Sequence, residues 1–574
     1  MNLLTAVEDR IEQARGMPGA AFVLPWTSFA EFFRARVHDP ELVDRTLLTY
    51  YDDDAGVRRS YTYAEFGTLV EGTAVFLRER LGLRRGDRIA TVLFNHDLTV
   101  LVYFAAWRIG AAVVPINVEE SLQKKRYIVE HSESAALICW PESYDELIQF
   151  QEDLPLLRHI VLLGEEGFVK AAHHKTKGSP AKQQGARSAP VSRLEDEALI
   201  VYTSGTTGPP KGVVLTIANL LNDADAIAEW HGFGPGDRLM CVLPIHHVNG
   251  IVVTLVTPFY CKGGIVLNRK FKTGSFWKRL HEEQITCVSV VPTLLEFLLS
   301  ADEDITRYRF DCFAGLICGA GPLLKDTAAR FEERFRFPIK HGYGLSETTC
   351  YSCFLPTDLS REARRRWLGA HEFPSIGLPL RHNDMAVLDE QGTQVAEQAR
   401  GEICIRGRTV CAGYFKRPDA NEAAFQWGWF RSGDEGFYVN DERGRPFLFI
   451  SGRIKELIIR GGVNISPLEI DDVLRSHPGV KFAMAVAFEN RYYGEEIAAY
   501  VVPKDASQPP TEADLLGHCR NRLPFAKQPK LCLIGEEVPY TSTGKPKRLE
   551  LRTKLADRLA PYRDHQFKDQ RGAT

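Results

Sequence analysis

Twelve consecutive residues carry an unusual density of groups that hold an anion: Val201-Tyr202-Thr203-Ser204-Gly205-Thr206-Thr207-Gly208-Pro209-Pro210-Lys211-Gly212. They contain three glycines, four aliphatic hydroxyls and one lysine. An apolar run from Ala198 to Tyr202 leads in, and a second, Val213 to Leu215, leads out. A small polar turn between two strands exposes backbone N–H groups and hydroxyls, and glycines let the backbone approach closely. Phosphate is the natural guest. The stretch is not the common phosphate loop, which needs Gly-Lys followed by Ser or Thr and then a helix. Here Gly212 follows Lys211, and the exit reads as strand.

Three further groups carry matching chemistry. In His341-Gly342-Tyr343-Gly344-Leu345-Ser346-Glu347-Thr348-Thr349, an aromatic between glycines has an uncrowded face for a base. The hydroxyl of Ser346 and the carboxylate of Glu347 then reach a phosphate and its magnesium. In Trp429-Phe430-Arg431-Ser432-Gly433-Asp434, a carboxylate at a strand end suits the paired hydroxyls of a ribose. Near the C-terminus, Pro539-Tyr540-Thr541-Ser542-Thr543-Gly544-Lys545-Pro546-Lys547-Arg548 places three basic residues in four positions.

Taken in order, these stretches resemble the adenylate-forming superfamily of acyl-CoA synthetases, luciferases and nonribosomal adenylation domains. The likeness runs over roughly residues 30 to 555. It implies that Thr203, Ser204, Gly205, Thr206, Thr207, Gly208 and Lys211 clamp the outer phosphates of ATP. It implies that Tyr343 and Gly344 lie beside adenine, that Ser346 contacts the α-phosphate, that Glu347 coordinates Mg²⁺ and that Asp434 holds the ribose. Gly319-Ala320-Gly321 resembles the turn between adenine and acyl group, and His247 resembles the histidine bordering the acyl pocket. Arg453 matches an arginine on the nucleotide, Lys455 a hinge, and Gly461-Gly462 a turn lining the pantetheine tunnel of coenzyme A. Lys545 matches the lysine of the adenylation step.

The activity so implied is an ATP-dependent carboxylic acid–CoA ligase working through acyl-AMP. An amine or a carrier protein as acceptor would share every one of these motifs. An amino acid as substrate is disfavoured, because the His246-His247-Val248-Asn249 segment lacks the aspartate that pairs an ammonium. The pocket stretches Val248 to Thr254, Pro292 to Leu295, Ile317 to Gly319 and Thr348 to Cys353 do not separate a fatty or aryl acid from a small polar one.

Such residues need elements to position them. At 574 residues the chain is too long for one core. Its 44% hydrophobic and 25% charged content is that of a globular protein, and a net charge of −3 argues against a dedicated nucleic-acid binder. The first residues lack a basic, then apolar, leader, and no stretch is apolar enough to span a bilayer. The last residues match no lipidation or peroxisomal address. The twelve cysteines sit mostly in apolar contexts and read as reduced. A cytoplasmic enzyme is the expectation. Oligomeric state leaves no signature.

Strand–helix alternation from Trp26 to Leu163, resuming at Ala198, predicts parallel α/β sheets. The pattern lapses over residues 164–193, which read as a mobile loop. Short alternating runs from Met385 to Phe415 predict an antiparallel β subdomain, which the resemblance implies is barrel-like. We therefore expect an α/β chain. Residues 1–452 form a large N-terminal domain of two α/β subdomains plus that small subdomain. The pattern places a boundary near residues 453–456, which the resemblance makes a hinge, and residues 457–574 form a smaller α+β domain, by the resemblance a mobile lid.

Overall fold

The structure is a computed structural model that describes residues 3–17, 22–165, 167–173, 192–203, 209–540 and 546–567. Two sheets dominate the large N-terminal domain. The first has seven strands in the order Gly167–His173, His159–Gly164, Ala136–Cys139, Arg88–Val92, Ala112–Ile116, Glu197–Thr203, Lys211–Thr216. Its middle is parallel and its two edges are antiparallel. The second joins fourteen strands and turns from parallel to antiparallel at Ile339–Tyr343.

A layer of buried helices separates the sheets. Helix Asp97–Arg108 buries ten of its twelve residues, and helix Ile217–His231 buries eleven of its fifteen. Helices buried this completely lie between two packed layers, the second doing so while it buries Asn219, Asn222, Asp223 and Asp225. The first of these touches Ala112–Ile116 of one sheet and Thr46–Asp52 of the other. That is why strands Thr46–Asp52 and Val57–Thr62, early in the chain, lie at the edge of the second sheet beside Gly264–Asn268.

The antiparallel strands Asn383–Leu388, Gly401–Gly407, Trp429–Asn440, Pro446–Arg453 and Ser375–Pro379 are hydrogen-bonded in that order and continue the second sheet. No pairing closes them into a barrel among the described residues.

The segment read as a loop from 164 to 193 is not irregular throughout. Gly167–His173 forms an antiparallel edge strand on His159–Gly164, with Phe168 stacked 4.2 Å from Phe76. Its four apolar residues, Phe168, Val169, Ala171 and Ala172, fall in two adjacent pairs and not in alternation, so the run carries no strand period. Residues 174–191 of that segment lie outside the described residues.

The small C-terminal domain is a five-stranded sheet drawn from residues 458–534. Helices Pro467–Arg475 and Glu512–Arg520 cover one face and Arg548–Leu559 the other. Two longer ion pairs reach back to the large domain: Arg475 to Glu296 and Lys527 to Glu372, both at 3.6 Å. At the junction Ser466 Oγ donates to the Ser451 carbonyl. No helix among the described residues is long and apolar enough to cross a membrane.

Candidate active site

In an open parallel sheet, ligands sit beyond the carboxyl ends of the strands. Here strands Cys287–Val290, Leu316–Cys318 and Ile339–Tyr343 lie side by side and end together. Gly319 and Ala320 follow the middle strand, and Tyr343 ends the third. Two residues at this edge hold costly backbone angles, Ala320 at φ +62° and the β-branched Thr349 at φ +68°.

Tyr343 does not stand free. Its hydroxyl donates to Asp434 Oδ2 at 2.7 Å, and Arg453 Nε lies 2.8 Å from Asp434 Oδ1. Asp434 and Arg453 are directly paired across the strands Trp429–Asn440 and Pro446–Arg453, so the ladder sets the ion pair. Burial pushes the Tyr343 phenol upward, and the neighbouring carboxylate adds to it. Asp434 raises the Arg453 guanidinium. A carboxylate offers about four lone-pair directions, so Asp434 keeps acceptor capacity after meeting both partners. The glycine after Tyr343 has a reason other than clearing an aromatic face: a Cβ on Gly344 would lie 2.0 Å from the Cys350 carbonyl oxygen.

The second group gathers around Lys211. Strands Glu197–Thr203 and Lys211–Thr216 are antiparallel, with Thr203 opposite Lys211, so the polar stretch between them turns strand to strand as the sequence indicated. Thr203 Oγ1 lies 3.5 Å from the Lys211 carbonyl oxygen. Ser204, Gly205, Thr206, Thr207 and Gly208 lie outside the described residues. Lys211 Nζ sits 4.3 Å from the centre of the Tyr414 ring, and the Tyr414 hydroxyl donates to Glu347 Oε1 at 2.9 Å. Burial lowers the Lys211 ammonium, Glu347 opposes that, and the nearby Lys455 reinforces it. Ser346 opens the short turn Ser346–Thr348 that carries Glu347, and both side chains are half-buried.

His247 is half-buried beside His246, with ring centres 4.4 Å apart. Burial holds His246 down at about 4. Lys455 lies exposed in the turn Ile454–Glu456, and its neighbour Glu456 pairs with Arg548 of the small domain at 3.3 Å. Gly461 and Gly462, at φ +57° and +81°, form the exposed tip of the hairpin between Ile458–Arg460 and Val463–Ile465. Lys545 lies outside the described residues. The structure thus gathers Tyr343, Asp434 and Arg453 into one bonded group, and Lys211, Glu347 and Lys455 into one field. The Gly461–Gly462 tip stands on its own domain.

A family model described as AMP-binding enzyme matches residues 35–415, and one described as AMP-binding enzyme C-terminal domain matches residues 469–545. The chain belongs to the AMP-binding enzyme family. A sulfoacetate–CoA ligase of Cupriavidus necator is 33% identical over 473 residues, spanning 82% of this chain and 88% of that protein. An oxalate–CoA ligase of Arabidopsis thaliana is 31% identical, spanning 85% and 92%. The crystal structure of ATP-bound MatB from Rhodopseudomonas palustris matches with a TM-score of 0.79 at 26% identity, over 92% of this chain and 99% of that one. The o-succinylbenzoate coenzyme A synthetase of Bacillus subtilis, in complex with ATP and a magnesium ion, matches at 0.76 with 27% identity, over 91% and 99%.

Sequence reasoning missed one residue at the heart of this AMP-binding enzyme's cleft. Tyr414 bridges Lys211 and Glu347, and a backbone bridge from Val213 to Tyr414 delivers it. Phe415 N donates to the Gly212 carbonyl at 2.8 Å and Ala412 N to Val214 at 2.9 Å. The available signal was Gly413-Tyr414-Phe415, the same pairing of glycine and tyrosine that marked Gly342-Tyr343.

Proposed function

We propose that this AMP-binding enzyme is an ATP-dependent carboxylic acid–CoA ligase, with the residues gathered above in the following roles. The carrying observation is that Lys211 of the seven-stranded sheet, Tyr414 and Glu347 lie beside the Tyr343, Asp434 and Arg453 group of the second sheet, close enough for Glu347 to act on Arg453. The named activities of its relatives support the reaction type. They span sulfoacetate, oxalate, succinylbenzoate and long-chain fatty acids, so they do not choose the acid.

Asp434 accepts the ribose hydroxyls on its remaining lone pairs, and Arg453 and Tyr343 fix its orientation. Tyr343 and Gly344 border the adenine, with Gly319 and Ala320 between adenine and acid. Thr203, the loop to Gly208 and Lys211 hold the β- and γ-phosphates, while Ser346 meets the α-phosphate. The donor set fits magnesium: with nucleotides that ion takes one or two carboxylates and completes its octahedron from phosphates and water. Glu347 offers a half-exposed carboxylate with one oxygen steadied by Tyr414. When bound, the ion offsets the charge that develops on the phosphates.

In the first half-reaction a carboxylate oxygen forms a bond to the α-phosphorus, and the bond from that phosphorus to the bridging oxygen breaks, releasing pyrophosphate. Lys545 places its ammonium against the carboxylate and α-phosphate, where negative charge concentrates in the transition state. In the second, the coenzyme A sulfur bonds to the acyl carbon, the thiol proton is lost and AMP leaves. Each half-reaction needs different groups around one intermediate, which a moving domain supplies. We place the hinge at 453–456 with Lys455 within it, residues 1–452 before it and the lid, 457–574, after it. Rotation there withdraws Lys545 and brings the Gly461–Gly462 hairpin to the thiol's path, with His247 on the acid side. Twelve free cysteines fit a reducing compartment, the cytoplasm.

The test is product analysis with the full chain, ATP, magnesium and a panel of acids. Acid-dependent pyrophosphate release, and AMP plus a thioester once coenzyme A is added, are expected. AMP formed with acid but without any thioester would move the acceptor to an amine or a carrier protein.

A further inference from the structure

Tyr202 and Pro210 stand at the two ends of the turn proposed to hold the outer phosphates: Tyr202 precedes Thr203, and Pro210 precedes Lys211. Both are held by one helix, Leu122–His131. His131 Nδ1 lies 2.7 Å from the Tyr202 hydroxyl, and the Tyr127 hydroxyl donates to the Pro210 carbonyl at 3.2 Å. Residues four apart share one face of a helix, and these two rings stack with centres 5.3 Å apart. A single turn of helix therefore grips both ends of the phosphate turn.

The helix is itself anchored. Ile128 and Val129 are buried in the apolar core against the first sheet, and the buried Lys125 pairs with Glu146 at 2.6 Å. Tyr202 is fixed from the opposite side as well. It lies across the ladder from Gly212, and a Cβ on Gly212 would sit 3.1 Å from the Tyr202 ring. A side chain at 212 would push that ring, and with it the hydroxyl, away from His131. Phe415 packs edge-on to His131 with ring centres 5.9 Å apart, and Phe415 N donates to the Gly212 carbonyl. Burial lowers the His131 imidazole, Lys416 and Arg417 add to that, and Glu133 opposes it. Burial also keeps the Tyr202 phenol protonated. The contact is one between neutral groups, so its part is geometric.

We propose that Tyr127 and His131 are positioning residues that bracket the phosphate turn, setting Thr203 and Lys211 against the outer phosphates of ATP. The inference rests on the ligase reading above. Tyr127 acts through Pro210 and His131 through Tyr202. A turn rich in glycine loses much conformational freedom when it closes on an anion. Fixing its two ends beforehand lowers that loss, so more of the interaction with phosphate appears as affinity. The benefit falls on ligands that carry β- and γ-phosphates. AMP and acyl-AMP lack them and are indifferent to the bracket.

The experiment measures ATP and AMP affinity by calorimetry, and the two half-reactions separately, for the full chain and for His131→Leu, His131→Asn and Tyr127→Phe. In His131→Leu the Kd for ATP and the KM for ATP in acyl-AMP formation are expected to rise about 10-fold. AMP affinity and thioester formation from supplied acyl-AMP are expected to stay unchanged. His131→Asn, whose amide reaches the position of Nδ1, recovers most of the loss, which a packing role alone would not allow. Tyr127→Phe removes one oxygen and no packing, and raises the ATP values by roughly 5-fold. Equal losses for ATP and AMP, or ATP affinity unchanged in both His131→Leu and Tyr127→Phe, overturn the bracket and leave the ligase reading standing. A native chain that binds ATP but forms no acyl-AMP from any acid overturns the ligase reading, and the ATP-to-AMP affinity ratio of the variants still decides the bracket.

Discussion

On one side of the cleft Asp434 holds a phenol and a guanidinium with lone pairs to spare, and Glu347 holds the Tyr414 hydroxyl with one oxygen uncommitted. On the other side, against the Gly319 backbone, Tyr351, Asn249 and Ser289 are buried and spend their polar groups on each other. The first region is charged, with Asp434 buried but Glu347, Lys211 and Arg453 reaching solvent, which suits a polyanionic ligand. The second is closed on itself. The charged side is the one proposed above to hold the nucleotide. Mutations should fall into two classes accordingly.

The largest effect is expected at Lys545, proposed above to meet both partners of the first bond-forming step. Lys545→Ala should slow acyl-AMP formation by about 1,000-fold, the scale of a lost electrostatic contact to a transition state. Thioester formation from supplied acyl-AMP should survive. Equal loss of both half-reactions, measured separately, rejects the role.

Next comes the nucleotide side itself. Asp434→Ala should lower kcat/KM for ATP by roughly 100-fold, because the ribose loses its acceptor and Tyr343 and Arg453 are left without theirs. The rank order of acids should not change. If acid preference shifts in this variant, the two sides are not separable and the comparison fails. Tyr414→Phe is the milder version. It keeps the ring under Lys211 and removes only the hydroxyl on Glu347, so about a 10-fold loss is expected, read most directly in the magnesium dependence of pyrophosphate release.

These outcomes bear on how much of the site the sequence revealed. Tyr343, Asp434 and Arg453 do come together, but Asp434 lies inside strand Trp429–Asn440 and not at a strand end as its sequence context suggested; its ladder pairing with Arg453 positions it. The strand exit at Gly212 was legible because an apolar run followed directly. Tyr414 was not, because it belongs to the site only through a bridge from a distant part of the chain. Gly344 was legible as important but for another reason than its actual one, the approach of the Cys350 carbonyl. Asn249 and Tyr351 fall in the stretches Val248 to Thr254 and Thr348 to Cys353 already read as pocket lining, but their bonds to each other and to Ser289 show only once three elements come together. The edge strand Gly167–His173 escaped because pairing, rather than periodicity, makes it a strand.

The smallest effect concerns stability. His341 is buried at the end of the parallel sheet with Nδ1 2.7 Å from the Ser375 carbonyl, and burial holds it down at about 4. His246, at the acid side, is held at about 4 as well. A base whose folded value is depressed binds fewer protons folded than unfolded between that value and the ordinary histidine value. Stability is therefore fully present above the unfolded value of 6.5 and falls as pH drops from 6.5 towards 4. The loss is at most about 3 kcal/mol per histidine. His341→Gln should flatten the decline of Tm across that window, and an unchanged slope would assign the acid lability elsewhere.

The most direct test of the central claim is a single-turnover experiment with the full chain, labelled ATP, magnesium and an acid it activates, followed by addition of coenzyme A. A burst of pyrophosphate with acyl-AMP retained on the protein, then AMP and acyl-CoA in equal amounts once the thiol is added, is the predicted result. Formation of ADP and inorganic phosphate, or acid-dependent AMP that never yields a thioester, would contradict it.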